Sequence, residues 1–252
     1  VAVITRDEED NIRGCLESVA WADERVVLDS GSTDGTVGIA RSLGARVEVE
    51  EWRGYAPQKN RAAELCTGEW VLSIDADERV TEALRREIES ALAAPPSSLP
   101  AGFSMPRLSF HLGRWIRRGG WYPDRKVRLA RRGKGAWVGE EVHEHLEVEG
   151  PVGRLGKPLL HYTYRDLSDH LVKMDGYTVR IARGRHARGR RPSLLRLVLN
   201  PPFKFLRMYV LKGGFLEGTA GFILAAAGAW YVFLKEAHLW ELWRVRKPEG
   251  AP

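Results

Sequence analysis

In Glu69-Trp-Val-Leu-Ser-Ile-Asp-Ala-Asp-Glu78 a short apolar run stops at three carboxylates within four residues. Trp70 to Ile74, aromatic and β-branched, fits a strand buried on both faces of a parallel sheet. Asp75, Asp77 and Glu78 at its end repel one another unless a cation or a polar ligand offsets their charge. Aspartates at alternate positions on a chain leaving a strand can present two hard oxygens to one divalent ion. Such an ion completes its shell with substrate phosphates. A lone Asp-x-Asp is more often a solvated loop, because so short a pattern recurs by chance. The flanking sequence changes those odds.

Upstream, Val1–Thr5, Arg25–Leu28 and Ala45–Val49 are apolar runs of strand length. Between them Asn11 to Val19, Thr36 to Leu43 and Gln58 to Leu65 carry helical spacing. Downstream, Thr81 caps a fourth helix to about Leu92, and Ala94-Pro-Pro-Ser-Ser-Leu-Pro100 breaks it. Strands alternating with helices predict a parallel α/β sheet, whose ligands gather at the carboxyl ends of the strands. Those ends carry Thr5, Asp29-Ser-Gly-Ser-Thr-Asp34 and Asp75-Ala-Asp77. Asp29–Gly35 taken alone is a βα turn with a helix cap. Neither G-x-G-x-x-G nor G-x-x-x-x-G-K-[ST] occurs, which argues against a dinucleotide or P-loop site. A carboxylate at the end of the second strand is placed for a ribose hydroxyl or a base edge.

The 252 residues, 44% of them hydrophobic, can fill one sizeable core or one domain plus an appendage. Two cysteines, Cys15 and Cys66, exclude a disulfide framework or a cysteine zinc site and suit a reducing compartment. The sequence opens directly in a strand-like run, with no signal-peptide pattern and no initiator Met, so a trimmed start is expected. The net charge of +6 hides an asymmetry: residues 1–100 hold 20 acids against 11 Lys/Arg, the remainder 13 against 28. Ten Lys/Arg and no acid lie between Gly176 and Leu216. A basic half leading into apolar helical sequence predicts an anionic partner, nucleic acid or membrane.

In the middle, Gly102–Arg107 and Lys126–Arg131 have strand character around the turn-rich, aromatic Gly119-Gly-Trp-Tyr-Pro-Asp124. Trp137-Val-Gly-Glu-Glu-Val-His-Glu-His145 concentrates acid/base side chains, and His161 interrupts the apolar run Leu159–Tyr164. Arg180 to Arg191 is a loop or a basic helix, and Asn200-Pro-Pro202 punctuates the chain. Phe203 to Trp243 is helical and aromatic. From Gly213 to Leu234 it has one charge, Glu217, close to the length of a membrane span. Its glycines and flanking Lys212 and Lys235 favour helices lying at the interface over a full crossing, with a core hairpin as the plain alternative. Beside such helices the basic stretch favours an anionic membrane over nucleic acid.

Four stretches in order carry a likeness: Thr5-Arg-Asp-Glu-Glu-Asp-Asn11, Val27-Leu-Asp-Ser-Gly-Ser-Thr-Asp-Gly-Thr36, Gln58-Lys-Asn-Arg-Ala62 and Gly68-Glu-Trp-Val-Leu-Ser-Ile-Asp-Ala-Asp77. Together they resemble family 2 glycosyltransferases of the GT-A fold. Gly119-Gly-Trp-Tyr-Pro-Asp-Arg-Lys-Val-Arg-Leu129 with Val142-His-Glu144 resembles the branch of lipopolysaccharide core β-glucosyltransferases. The likeness covers about residues 1–165. It implies a GT-A catalytic domain over 1–175, nucleotide-sugar half 1–100 and acceptor half 101–175; the charge and apolar pattern make 176–252 a basic, membrane-associating helical extension.

It also implies site roles. Thr5, Glu9, Asp29 and Lys59 would hold the nucleotide sugar, with Asp75 facing the ribose. Asp77 and His161 would ligate Mg²⁺ or Mn²⁺. Glu144 would be the general base, at a place where many relatives have Glu-Asp and this chain has His143-Glu144. Trp121, Tyr122, Asp124 and His143 would face the acceptor. The expected reaction is an inverting transfer from a UDP-sugar to a lipopolysaccharide-core or other envelope glycolipid, on the cytoplasmic face of the cell membrane, with no nucleic acid partner. The runners-up are a non-turning-over binding protein on the same scaffold and a sugar-phosphate nucleotidyltransferase. The second would want a Gly-rich, basic loop after the first strand, where residues 6–11 are acidic.

Overall fold

The computed structural model of the chain describes residues 1–139 and 144–244. The alternation expected for the first hundred residues is present: β1 (Ala2–Thr5), α1 (Glu9–Ser18), β2 (Val26–Asp29), α2 (Thr36–Ser42), β3 (Arg46–Val49), α3 (Tyr55–Glu64) and β4 (Trp70–Asp75). A short strand not foreseen, β5 (Glu78–Val80), follows the acidic turn before α4 (Glu82–Leu92). Thr81 caps α4, its hydroxyl accepting from the Leu84 amide at 3.0 Å.

Next come β6 (Gly102–His111), β7 (Arg114–Trp115), β8 (Asp124–Arg131), β9 (Gly135–Val138), β10 (His145–Val148), β11 (Val152–Arg154) and β12 (Leu159–His161). The sheet order is β3-β2-β1-β4-β8-β6-β12-β5, with the first four strands parallel and β8 antiparallel to both β4 and β6. β9 and β10 form a separate hairpin.

Packing divides the chain into two units: residues 1–109 with 123–163, and residues 110–122 with 164 onward. The division differs from a cut after residue 175. In the second unit the 110–122 segment is bound to the helical part: the Gly119 amide donates to the Lys212 carbonyl at 2.9 Å, and Arg114 pairs with buried Glu217 at 3.0 Å.

In the first unit both sheet faces are covered, as parallel strands require. Ile12, Leu16, Leu84 and Ile88 pack with Val3, Val27, Leu72 and Ile74 on one side. Ala62 and Cys66 meet Ala2, Val26, Leu28 and Val71 on the other. Parallel register then sets the site: Thr5 lies opposite Asp29, and Ile4 opposite Asp75. The ends of β1, β2 and β4 therefore share one rim.

The second unit contains α5 (Leu167–Ala187), α6 (Leu194–Leu206) and α7 (Gly218–Arg244). Arg180–Ala187 belongs to α5, so the basic stretch begins as helix. Pro201 and Pro202 do not interrupt the chain as expected; both lie inside α6. Each proline removes one donor, but α6 has no buried residue, so the freed carbonyls are not sealed from water. The actual break comes at Gly213, whose φ of 66° ends the π-helical turn Arg207–Leu211. A 3₁₀ turn, Gly214–Glu217, leads into α7.

Candidate active site

The three carboxylates after β4 are resolved in different ways. Asp75 is held by Lys59 Nζ and Arg128 Nη2, each at 2.8 Å. Glu78, on β5 and fully buried, accepts from Arg128 at 2.7 Å, from Arg107 at 3.4 Å and from the Asp75 amide at 3.0 Å. Burial pushes the Asp75 carboxyl up, but Arg128 and Lys59 outweigh it and hold it well below the usual carboxylate range. Burial likewise opposes the Arg128 charge, and Asp75 and Glu78 overcome that, raising it above its ordinary value. Side-chain cations thus neutralise two of the three acids, a task the sequence assigned to a metal ion or ligand.

Asp77 is the third. Its Oδ2 lies 3.3 Å from His161 Nε2, and its Oδ1 is buried with no partner among the described residues. His161 is braced on the other side by Ser109 Oγ, 3.2 Å from Nδ1. In the tautomer with the proton on Nε2, His161 donates to Asp77 and accepts from Ser109 at Nδ1. Among the described residues no group of three or more His, Cys, Asp or Glu is placed to hold a metal. The orphaned carboxylate oxygen and the imidazole nonetheless fit a divalent ion, whose other ligands would be diphosphate oxygens and water.

Lys59 joins this cluster to Glu144, 3.1 Å from the same Nζ. Its ammonium lies 4.3 Å from the centre of the Trp137 ring, and Arg128 approaches the same ring at 5.2 Å. Trp137 is fixed by its Nε1–H donating to Ser73 Oγ and by reciprocal bonds between its backbone and the Asn60 side chain. Helix α3 thus supplies Lys59 and the clamp on the indole beneath it.

At the ends of β1 and β2 the picture is different. Asp29 is fully buried and spends its carboxylate on its own turn, accepting from the amides of Gly31 and Ser32 and from the Ser32 hydroxyl. Glu9 accepts from the Gly35 amide at 2.9 Å and so ties the first loop to the second. Thr5 Oγ1 and Gln58 Oε1, by contrast, are buried without partners among the described residues. Buried polar atoms are nearly always satisfied, so both oxygens are open to a further partner.

The expected acceptor-facing residues fall in both units. Asp124, on β8, is paired with Arg107 at 2.8 Å and Lys126 at 3.2 Å. Trp121 and Tyr122 belong to the second unit, where Trp121 stacks on His111 with centroids 6.0 Å apart. His143 lies outside the described residues. The sequence reading missed Arg128, Arg107, Trp137 and Gln58 as site residues. For Arg128 a signal existed: a lone arginine inside Val127-Arg-Leu-Ala130 must find a carboxylate if that strand is buried.

Residues 1–133, just over half of the chain, match the model of a family described as Glycosyl transferase family 2. This chain is a family 2 glycosyltransferase. Over 95% of its length and 90% of the relative's, the enzyme is 37% identical to the lipopolysaccharide core biosynthesis glycosyltransferase LpsC of Rhizobium meliloti. It is 30% identical to an uncharacterized glycosyltransferase of Rickettsia typhi, over 95% of this chain and 86% of that one. A crystal structure of S. aureus TarS 1-349 aligns over 96% of the glycosyltransferase and 90% of that chain, with TM-score 0.48 and 14% identity. The mixed sheet with flanking helices is the GT-A arrangement the motifs implied.

Proposed function

We propose that the enzyme transfers a sugar from a UDP-sugar, with inversion, to a hydroxyl of a lipopolysaccharide-core or other envelope glycolipid. The observation that carries this is Lys59, whose one ammonium links Asp75 at the β4 rim to Glu144. A carboxylate held beside the donor end is what an inverting transfer needs for a base. Glu144 takes the proton of the acceptor hydroxyl while that oxygen bonds to the anomeric carbon. The bond from that carbon to the diphosphate breaks on the opposite face, and the electron pair leaves with the diphosphate.

Thr5 and Gln58 offer unsatisfied oxygens to the nucleoside, and Asp29 and Glu9 shape the loops around it. Asp77 and His161 would hold Mg²⁺ or Mn²⁺, which when bound supplies positive charge to the departing diphosphate. Binding there asks His161 to free Nε2 and to donate from Nδ1 to Ser109, a change of tautomer the Ser109 hydroxyl can follow. The 37% identity with LpsC supports an acceptor of the lipopolysaccharide-core class.

The C-terminal helices support work at a membrane. The helical segment Gly214–Arg244 is long and apolar enough to cross one by length and composition. Yet α6 exposes Leu194, Leu195, Val198, Leu199, Phe203 and Leu206 along its whole length, in a region rich in Lys/Arg. That pattern suits helices lying on the inner face of an anionic bilayer.

The test offers a panel of nucleotide sugars with Mn²⁺ and a lipopolysaccharide-core acceptor. The nucleoside diphosphate released and the anomeric configuration of the product are then determined. Acceptor-dependent release of UDP with inverted configuration is expected. Retention, or release of a different nucleotide, overturns the corresponding part.

A further inference from the structure

Within the second unit α5, α6 and α7 border an open pocket of about 260 Å³. Trp121, Tyr177 and Tyr231 line it, Met208 adds apolar wall, and Lys204 is its one ammonium. Among the described residues no carboxylate lines it. We propose that this pocket binds a phosphorylated sugar, the phosphate at Lys204 and the ring against the tyrosines. It is a site of its own, and the claim does not depend on the transfer reaction assigned to the first unit.

Charge gives the first reason. Lys204 has no ion-pair partner among the described residues, and Arg207 and Lys235 add positive charge nearby. Lys235 stands 4.4 Å from the centre of the Tyr231 ring and is likewise without an ion-pair partner among the described residues. Glu236, the neighbouring acid, pairs through Oε1 with Arg185 at 2.9 Å. Burial, then Arg207, depresses the Lys204 ammonium, and burial, then Arg185 and Lys204, depresses Lys235. An anion entering here relieves that repulsion and gains charge-assisted hydrogen bonds.

Shape gives the second. A volume near the lower end of small-molecule sites takes one sugar ring with its phosphate. Tyrosine and tryptophan faces can cover the C–H side of such a ring, while their hydroxyl and indole N–H groups meet its oxygens. Burial raises the Tyr231 hydroxyl above its ordinary pKa, so it stays a donor. His170 adds another polar edge: its Nδ1 is engaged by His111 at 3.1 Å, leaving Nε2. Gly228 lets Met208 pack closely onto α7 in this wall, because a Cβ there would collide with the Met208 sulfur. An acyl chain would use none of these donors.

Calorimetry on the full chain without nucleotide tests the proposal, with glucose 6-phosphate, glucose and inorganic phosphate as probes. Vesicles carrying a glycolipid with a phosphorylated or an unphosphorylated sugar headgroup form the second arm. Saturable binding of the phosphorylated sugar is expected, with glucose or phosphate alone at least about tenfold weaker. Lys204→Met should weaken binding about tenfold or more and Lys204→Arg should keep most of it, with affinity for UDP unchanged in both. Binding of the free sugar phosphate identifies a soluble ligand, and binding only of the vesicle-borne headgroup identifies a glycolipid. If neither binds saturably, if Lys204→Met binds as wild type does, or if inorganic phosphate matches glucose 6-phosphate, the proposal fails. Because UDP binding is read separately, that failure leaves the transferase assignment standing.

Discussion

The two units treat charge in opposite ways. Around β4 of the first, acids and bases are buried or half-buried together and each makes close contacts: Asp75 with Lys59 and Arg128, Glu78 with Arg128 and Arg107. In the second, Lys204 and Lys235 are desolvated without ion-pair partners among the described residues, and apolar side chains of α6 are exposed. Buried opposite charges must be matched in geometry, or the fold loses more than it gains. Unpaired cations beside an exposed apolar face serve the interior little and are free to meet an anion from outside. The contrast predicts that losing one charge is felt as chemistry and stability in the first unit, and as binding in the second.

The largest effect is expected at the reacting end. Glu144→Gln should preserve nucleotide affinity and lower turnover by roughly 10²–10⁴-fold. Should it stay near wild type while Asp124→Asn collapses, the base has been assigned to the wrong acid. Asp77→Ala should remove the Mn²⁺-dependent part of UDP binding, measured by calorimetry with and without the ion. An unchanged metal-dependent gain would exclude Asp77 as a ligand.

Next in size is Arg128→Leu, which leaves Asp75 and Glu78 facing each other with their main cation gone. Breaking a buried pair from one side costs about 3–5 kcal/mol, so the urea midpoint should fall sharply. A loss below about 1 kcal/mol would show that water reaches the cluster and that the two units differ less than their geometry says.

How far these residues were legible follows from the same contrast. β1, β2, β4, α4 and its Thr81 cap could be read directly, because apolar period and capping chemistry act locally. Asp75 and Asp77 stood out for the same reason. Glu78 reads in the sequence only as the third carboxylate of the same turn. It lies on β5, which exists only because β12 arrives from residues 159–161 to pair with it. Arg128 and Arg107 come from β8 and β6, and nothing in their own stretches names Glu78 as the shared partner. Pro201 and Pro202 misled in the other direction: local chemistry said break, and an unburied helix tolerated both.

In the second unit the expected effect is moderate and depends on salt. Vesicles with anionic lipid should sediment with the full chain at low ionic strength and release it at high, since each engaged cation contributes about 1 kcal/mol near such a surface. Leu195→Asp and Leu199→Asp on exposed α6 positions should weaken binding while leaving Glu144-dependent turnover on a soluble acceptor intact. Salt-independent binding, or binding that ignores both substitutions, would mean the exposed face does not carry the contact.

The smallest expected effect concerns a pair of histidines that the second unit buries against each other. His111 Nε2 and His170 Nδ1 are 3.1 Å apart, with Tyr164 stacked on His170 at 4.3 Å. Burial, and then the neighbouring His111, pushes His170 down to about 4; burial also lowers His111, with Asp169 and Asp166 acting the other way. Lys204 shares the pocket that His170 lines and adds positive charge there. An unfolded histidine takes up its proton near pH 6.5, whereas His170 in the fold resists until about 4. Between those values the unfolded chain binds more protons, so stability is full above about 6.5 and falls as the pH drops toward 4. Allowing for solvent screening, the loss should be about 1–2 kcal/mol, read as a falling urea midpoint by circular dichroism. His170→Phe removes the titrating ring and should flatten that limb, leaving the contribution of His111 and, toward pH 4, of depressed carboxylates such as Asp75. An identical pH slope in the variant would place the acid sensitivity elsewhere, and a rise in stability on acidification would contradict a neutral histidine pair.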